Sequence, residues 1–252
     1  MAGLLSANAW ILLLLAPFVG SFLGVLITRL PDGEPVMLSR SRCPYCRRTL
    51  GVRDLIPVLS WLATQRRCRY CGSALGWFYP NIEVAALGVA VWAAAVVSGP
   101  SLWATCVLGW MLMTLAVIDA RHMILPNALT LPLLASGLAA GAWLDGARLA
   151  EHAIGAAAGF AGFWLVATAY RVLRGREVLG LGDAKLLAAA GAWVSWQGLP
   201  GVVLVASSSA LLFVLGATAL GFGPDHSRRM PFGPFLCLGI WLIWLYGPLI
   251  LV

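Results

Sequence analysis

Long apolar runs limit what this chain can fold into. Eight of them follow one another, at roughly 9–28, 82–98, 101–118, 127–144, 152–171, 183–197, 199–220 and 232–252. In hydrocarbon no water satisfies a backbone N–H or C=O, so a spanning run closes its hydrogen bonds internally as a helix. A span takes ~20 residues, which leaves 183–197 short: such a segment is either bent or buried among its neighbours. Only 11% of the residues are charged, where a soluble domain carries about 25%, and mean hydropathy is +0.88. The expected fold is all-α: a polytopic membrane protein with about eight transmembrane helices. The first run has no basic residue before it and ends at Arg29, the reverse of a signal peptide's charge order, so it reads as a retained helix.

The net charge of +7 does not indicate nucleic-acid binding, because the basic residues sit in loops between apolar runs, where they set topology and meet anionic lipid. Nine arginines fall in 29–80. When eight spans are threaded alternately, Arg121, Arg171, Arg174, Arg176, Lys185, Arg228 and Arg229 join them on one side, leaving only Arg148 opposite. Lys and Arg favour cytoplasmic loops. The 29–80 loop is therefore expected in the cytoplasm, with both termini outside.

That loop holds Cys43-Pro44-Tyr45-Cys46 and Cys68-Arg69-Tyr70-Cys71. Two such pairs supply the four thiolates of a tetrahedral zinc site. A cytoplasmic loop argues against disulfides. The loop is too small for a substantial core, so metal would contribute the missing folding energy. Four thiolates leave no open position for a water, which makes Cys43, Cys46, Cys68 and Cys71 a structural zinc set. Cys106 and Cys237 lie inside apolar runs and read as packing residues.

Two acids stand at ends of apolar segments: Asp119, in Val117-Ile118-Asp119-Ala120-Arg121-His122, and Asp183, in Gly180-Leu181-Gly182-Asp183-Ala184-Lys185. The threading puts both on the cytoplasmic face. A carboxylate at a membrane helix edge is costly and is read first as functional, and two on one face suggest a pair that activates water. The alternative is that each faces water or pairs with Arg121 or Lys185. Gly180 and Gly182 either let a substrate backbone approach Asp183 or serve packing. Pro231-Phe232-Gly233-Pro234 breaks the backbone before the last run, as a turn or as exposed pairing groups. Glu83 reads as a helix N-terminus stabiliser or an acceptor for an amine.

These blocks together resemble the type IV prepilin peptidases, bifunctional leader peptidases and N-methyltransferases of the GxGD intramembrane aspartyl class. The resemblance rests on Phe18 through Pro31, the two cysteine pairs, Leu55 through Trp61, Tyr79 through Glu83, Ile118-Asp119 with Leu125 through Pro132, Gly180 through Lys185, and Pro231 through Pro234. Two positions depart from the usual pattern: Gly24 stands where an asparagine is usual, and Arg121 where a second acid is usual. The resemblance implies that Asp119 and Asp183 are the catalytic dyad, supported by Gly180, Gly182, Pro231, Gly233 and Pro234. It implies prepilin or pseudopilin substrates of type IV pilus or type II secretion systems, cleaved at the cytoplasmic face of the bacterial inner membrane. It also implies S-adenosylmethionine as methyl donor, with Glu83 the candidate residue for methyl transfer. The expected organisation is a first helix at 1–28, a zinc-binding loop at 29–80 and a membrane-embedded protease core at 81–252. Two rivals stay open: a peptidase without methyl transfer, and a proton- or ion-coupled transporter, whose usual inverted repeats are not evident here.

Overall fold

The computed structural model describes residues 6–36, 40–144, 146–174, 180–221 and 230–248. Of the basic residues used for topology, Arg176, Arg228 and Arg229 lie outside these. The described residues form eight helices and no strand: α1 (Ala7–Arg29), α2 (Leu59–Ala63), α3 (Phe78–Val96), α4 (Ser101–His122), α5 (Asn127–Leu144), α6 (Leu149–Arg174), α7 (Leu181–Ala219) and α8 (Gly233–Tyr246). Six helical stretches have the length and apolarity to cross a membrane: α1, α3, α4, α5, α6 with its preceding turn, and α7. The 14-residue α8 is apolar but shorter. The chain divides into two compact units, Met1–Trp110 and Met111–Val252.

In the first unit α1 lies along α3. The seam is made of small residues, with Ala16, Ala86, Ala90 and Ala93 buried, as suits helices that associate by close van der Waals packing. At its tightest point Gly20 faces the Glu83 backbone, where a Cβ would sit 2.7 Å from the Glu83 Cα. Leu14, Phe18 and Phe22 project outward from α1, where lipid would solvate them. The Trp110 indole donates to the Ala86 carbonyl at 2.9 Å and ties the middle of α4 to α3. Between α1 and α3 the chain makes short turns, α2, and two isolated antiparallel bridges, Arg42 with Thr49 and Arg67 with Ala74.

In the second unit α7 is central and packs against α5, α6 and α8. The α6–α7 crossing is backbone on backbone: Gly155 and Gly159 meet Gly191 and Leu187 with no room for a Cβ. A straight helix of 39 residues would measure roughly 58 Å at ~1.5 Å per residue, about twice the hydrocarbon thickness. It is not straight. Ser195 has φ 59° and ψ 179°, which interrupts the helix between 181–194 and 196–219. The short run 183–197 is therefore both bent at its end and buried: Leu186 through Trp193 have almost no exposure. The Trp193 indole donates to the Leu133 carbonyl at 2.8 Å and meets Trp244 edge to face. Trp164, Leu165, Val166, Leu211, Leu212 and Phe213 point outward, as expected for side chains facing lipid.

Candidate active site and metal centre

Asp119 lies in the last turn of α4 and is buried, with 6% of its surface exposed. The C-terminal end of a helix is the wrong end for an anion. The second unit compensates with another helix. The Gly233 N–H, at the start of α8, donates to Asp119 Oδ2 at 2.9 Å. The approach requires glycine, since a Cβ at 233 would lie 2.6 Å from that same oxygen. Pro231 and Pro234 flank it, and Pro234 follows in the first turn of α8, where its missing N–H breaks no helical bond.

Asp183 lies in the first turn of α7, after the extended N-cap Gly180. There the helix N-terminus favours a carboxylate. The charge of Asp119 reaches Asp183, and both reach the buried Cys237 thiol on α8. Asp119 and Asp183 thus each stand at the N-terminal end of a helix, α8 for the first and α7 for the second. Gly182 packs against Leu125, with a hypothetical Cβ 3.2 Å from the Leu125 Cβ. Gly180 borders the Asp183 carboxylate. Lys185 Nζ donates to Asn127 Oδ1 at 2.8 Å and ties the first turn of α7 to the start of α5. The α4–α5 connection and the start of α7 are thus held together beside the acids. Neither Cys237 nor the Lys185–Asn127 bond was legible in the sequence, because each joins elements far apart in the chain.

The four loop cysteines converge. All four sulfurs lie within 4.8 Å of one another, and Cys43 Sγ is 4.0 Å from Cys71 Sγ. Four thiolates ~2.3 Å from a tetrahedral zinc stand roughly 3.8 Å apart. The two halves repeat one local design. Cys43 N–H donates to the Arg48 carbonyl and its own carbonyl accepts from Arg47; Cys68 N–H donates to Ser73, and its carbonyl accepts from Gly72. Both Arg47 and Gly72 take positive φ, 56° and 71°. The thiols do not titrate alike. Hydrogen bonding to Ser73 holds Cys71 down at about 6. The Arg48 amide favours the Cys46 thiolate, yet burial and neighbouring sulfurs outweigh it and push Cys46 up to about 11. Four sulfurs this close resist ionising together without a cation among them. The donor set fits a closed, structural zinc site.

Glu83 lies past the first turn of α3, so it does not stabilise that helix N-terminus. It is buried, with 5% exposed, and its Oε2 accepts the Val58 N–H at 2.7 Å. Val58 has φ 58°, a strained conformation for a β-branched residue. The sequence had not linked these two positions.

A polytopic helical protein with acids at membrane-helix ends, one of them buried, and a four-cysteine loop is the class that fold and site define. The chain belongs to the type IV leader peptidase family, whose model matches residues 106–215, while the bacterial peptidase A24 N-terminal domain matches residues 14–97. It is similar to the prepilin leader peptidase/N-methyltransferase of Aeromonas hydrophila, 38% identical over 91% of this chain and 87% of that relative. A protein of the same description from Dickeya chrysanthemi is 40% identical over 92% of this chain and 90% of that relative. The one from Burkholderia pseudomallei strain K96243 is 38% identical over 88% and 80%. No solved structure matches the chain.

Proposed function

We propose that this chain cleaves the leader peptide of type IV prepilins or type II secretion pseudopilins with Asp119 and Asp183, and methylates the new N-terminus. The observation that carries the reading is the shared site: Asp119, buried and hydrogen-bonded by Gly233, within electrostatic reach of Asp183. The relatives' descriptions supply the substrate and the second activity. In this reading the two carboxylates act as a pair and hold one proton between them. The ionised member takes a proton from the attacking water while the protonated one polarises the scissile carbonyl. Gly180 keeps the Asp183 side free of a side chain for an extended substrate backbone, while Gly182 serves packing against Leu125. In this reading zinc on Cys43, Cys46, Cys68 and Cys71 fixes the loop and takes no part in cleavage, and S-adenosylmethionine supplies the methyl group. The protein sits in the bacterial inner membrane with its loop and acids on the cytoplasmic side.

Asp119→Asn and Asp183→Asn isolate the central claim. Each should lower prepilin cleavage by at least about 10²-fold, the usual contribution of a positioned acid or base, with the protein still folded and zinc-loaded. Cleavage near the parental rate in either folded variant sinks the dyad.

A further inference from the structure

The first unit contains a cavity of about 290 Å³ where the ends of α1 and α3 meet the cysteine loop. Its lining mixes kinds of group that do not usually share a packed core. Glu83 contributes a buried carboxylate at membrane-helix level. It is hydrogen-bonded by the Val58 N–H and the Ser21 side chain, and if ionised it favours a cation beside it. Trp61 contributes an indole N–H that is buried and has no acceptor, the single such side-chain atom among the described residues. Trp61 as a whole is only 8% exposed. An unpaired buried donor on a residue that borders a cavity calls for an acceptor. Arg29, Arg42 and Arg67 also border the space and offer charge to an anion.

Two further features suggest that the cavity is built rather than left over. Glu83 holds the strained Val58 backbone, and strain of this kind concentrates at ligand clamps. The Tyr79 ring lines the cavity by leaning into the space that Gly24 leaves; a Cβ at 24 would lie 2.7 Å from Tyr79 Cδ1. Any larger residue at 24 would displace that wall. The departure from the usual asparagine thus has a structural counterpart in the placement of Tyr79.

The fitting ligand carries a cation, an anion, a flat ring and ring acceptors in one small molecule. We propose that this cavity binds S-adenosylmethionine, with Glu83 facing its cationic groups, the arginine side its carboxylate, and Trp61 and Tyr79 its adenine. The proposal rests on the methyl-transfer reading above and adds a place for the donor. A lipid headgroup with an ammonium and a phosphate shares part of this chemistry but lacks the ring.

The test uses the full chain in nanodiscs of phosphatidylcholine, with and without phosphatidylethanolamine. Binding of labelled S-adenosylmethionine is measured by equilibrium dialysis, and ultraviolet crosslinking followed by mass spectrometry maps the contact. About one molecule should bind per chain, and phosphatidylethanolamine should not displace it. The crosslink should fall on a peptide containing Trp61 or Tyr79. Glu83→Gln and Trp61→Phe should each weaken binding at least tenfold while retaining zinc. A crosslink confined to residues 111–252 overturns the site whatever the variants do. So does undiminished binding in both variants; if the parent still methylates cleaved pilin, the functional reading survives without this site. Displacement by phosphatidylethanolamine makes it a lipid site. A parent that neither binds the donor nor transfers a methyl group overturns both the site and the methyl-transfer reading.

Discussion

A single added methyl at residue 233 probes the acid pair without removing either acid. Gly233→Ala would place a carbon 2.6 Å from Asp119 Oδ2, so the carboxylate or the start of α8 must shift. A misplacement of about 1 Å in a catalytic group costs on the order of 10²-fold. Cleavage by Gly233→Ala should fall by about that factor, with methylation of a precleaved pilin retained. Gly162→Ala is the matched control, because nothing lies within 4 Å of a Cβ there; it should cleave at the parental rate. Equal rates for Gly233→Ala and parent would show that the Gly233 hydrogen bond does not hold the reactive geometry. At this scale the sequence yielded the residue types but not their partners. Asp119, Asp183, Gly233 and the cysteines stood out by position and spacing. The Val58–Glu83 and Lys185–Asn127 bonds did not, because a hydrogen bond across 25 or 58 residues leaves no local pattern.

Among the helices, α7 is the least regular. Ser195 occupies a backbone region that only glycine enters freely, at a cost of about 1–3 kcal/mol for other residues. The tight packing around it holds it there: a Cβ on Gly155 would touch the Ser195 and Trp196 backbone at 2.7 Å. Ser195→Gly should therefore raise unfolding stability in detergent by about 1–3 kcal/mol, while Ser195→Ala should not. Denaturant titration followed by tryptophan fluorescence reads the difference, and a destabilised Ser195→Gly would mean that the break is not strained. Apolar runs at 183–197 and 199–220 marked both arms of this helix in the sequence. Their continuity was hidden, because Pro200 signals a boundary locally while the actual break is five residues earlier, where α6 presses on α7.

For the whole molecule, the four-cysteine cluster and the two aspartates fall in separate compact units, 1–110 and 111–252. Replacing Cys68 and Cys71 with serine should abolish zinc retention and lower methylation of a precleaved pilin more than it lowers cleavage. Losing the loop geometry affects the first unit directly, while the acids are held by helix packing. Equal loss of both activities would show that the loop supports the entire enzyme. Orientation has its own test. Reporter fusions near residues 50 and 122 should report cytoplasm, and fusions near 99 and 146 the outer side, as the distribution of basic residues demands. The reverse pattern would place the acids on the wrong face for prepilin cleavage.

The bond between Asp119 and Gly233 also bears on biosynthesis, since it closes over 114 residues of sequence. A ribosome adding roughly 5–20 residues per second needs roughly 6–23 s to travel from one to the other. Through that interval both acids of the pair are made while the amide that steadies the first does not yet exist. The placement of Asp119 waits for the start of α8, so a half-made chain in the membrane cannot hold this acid as the finished protein does.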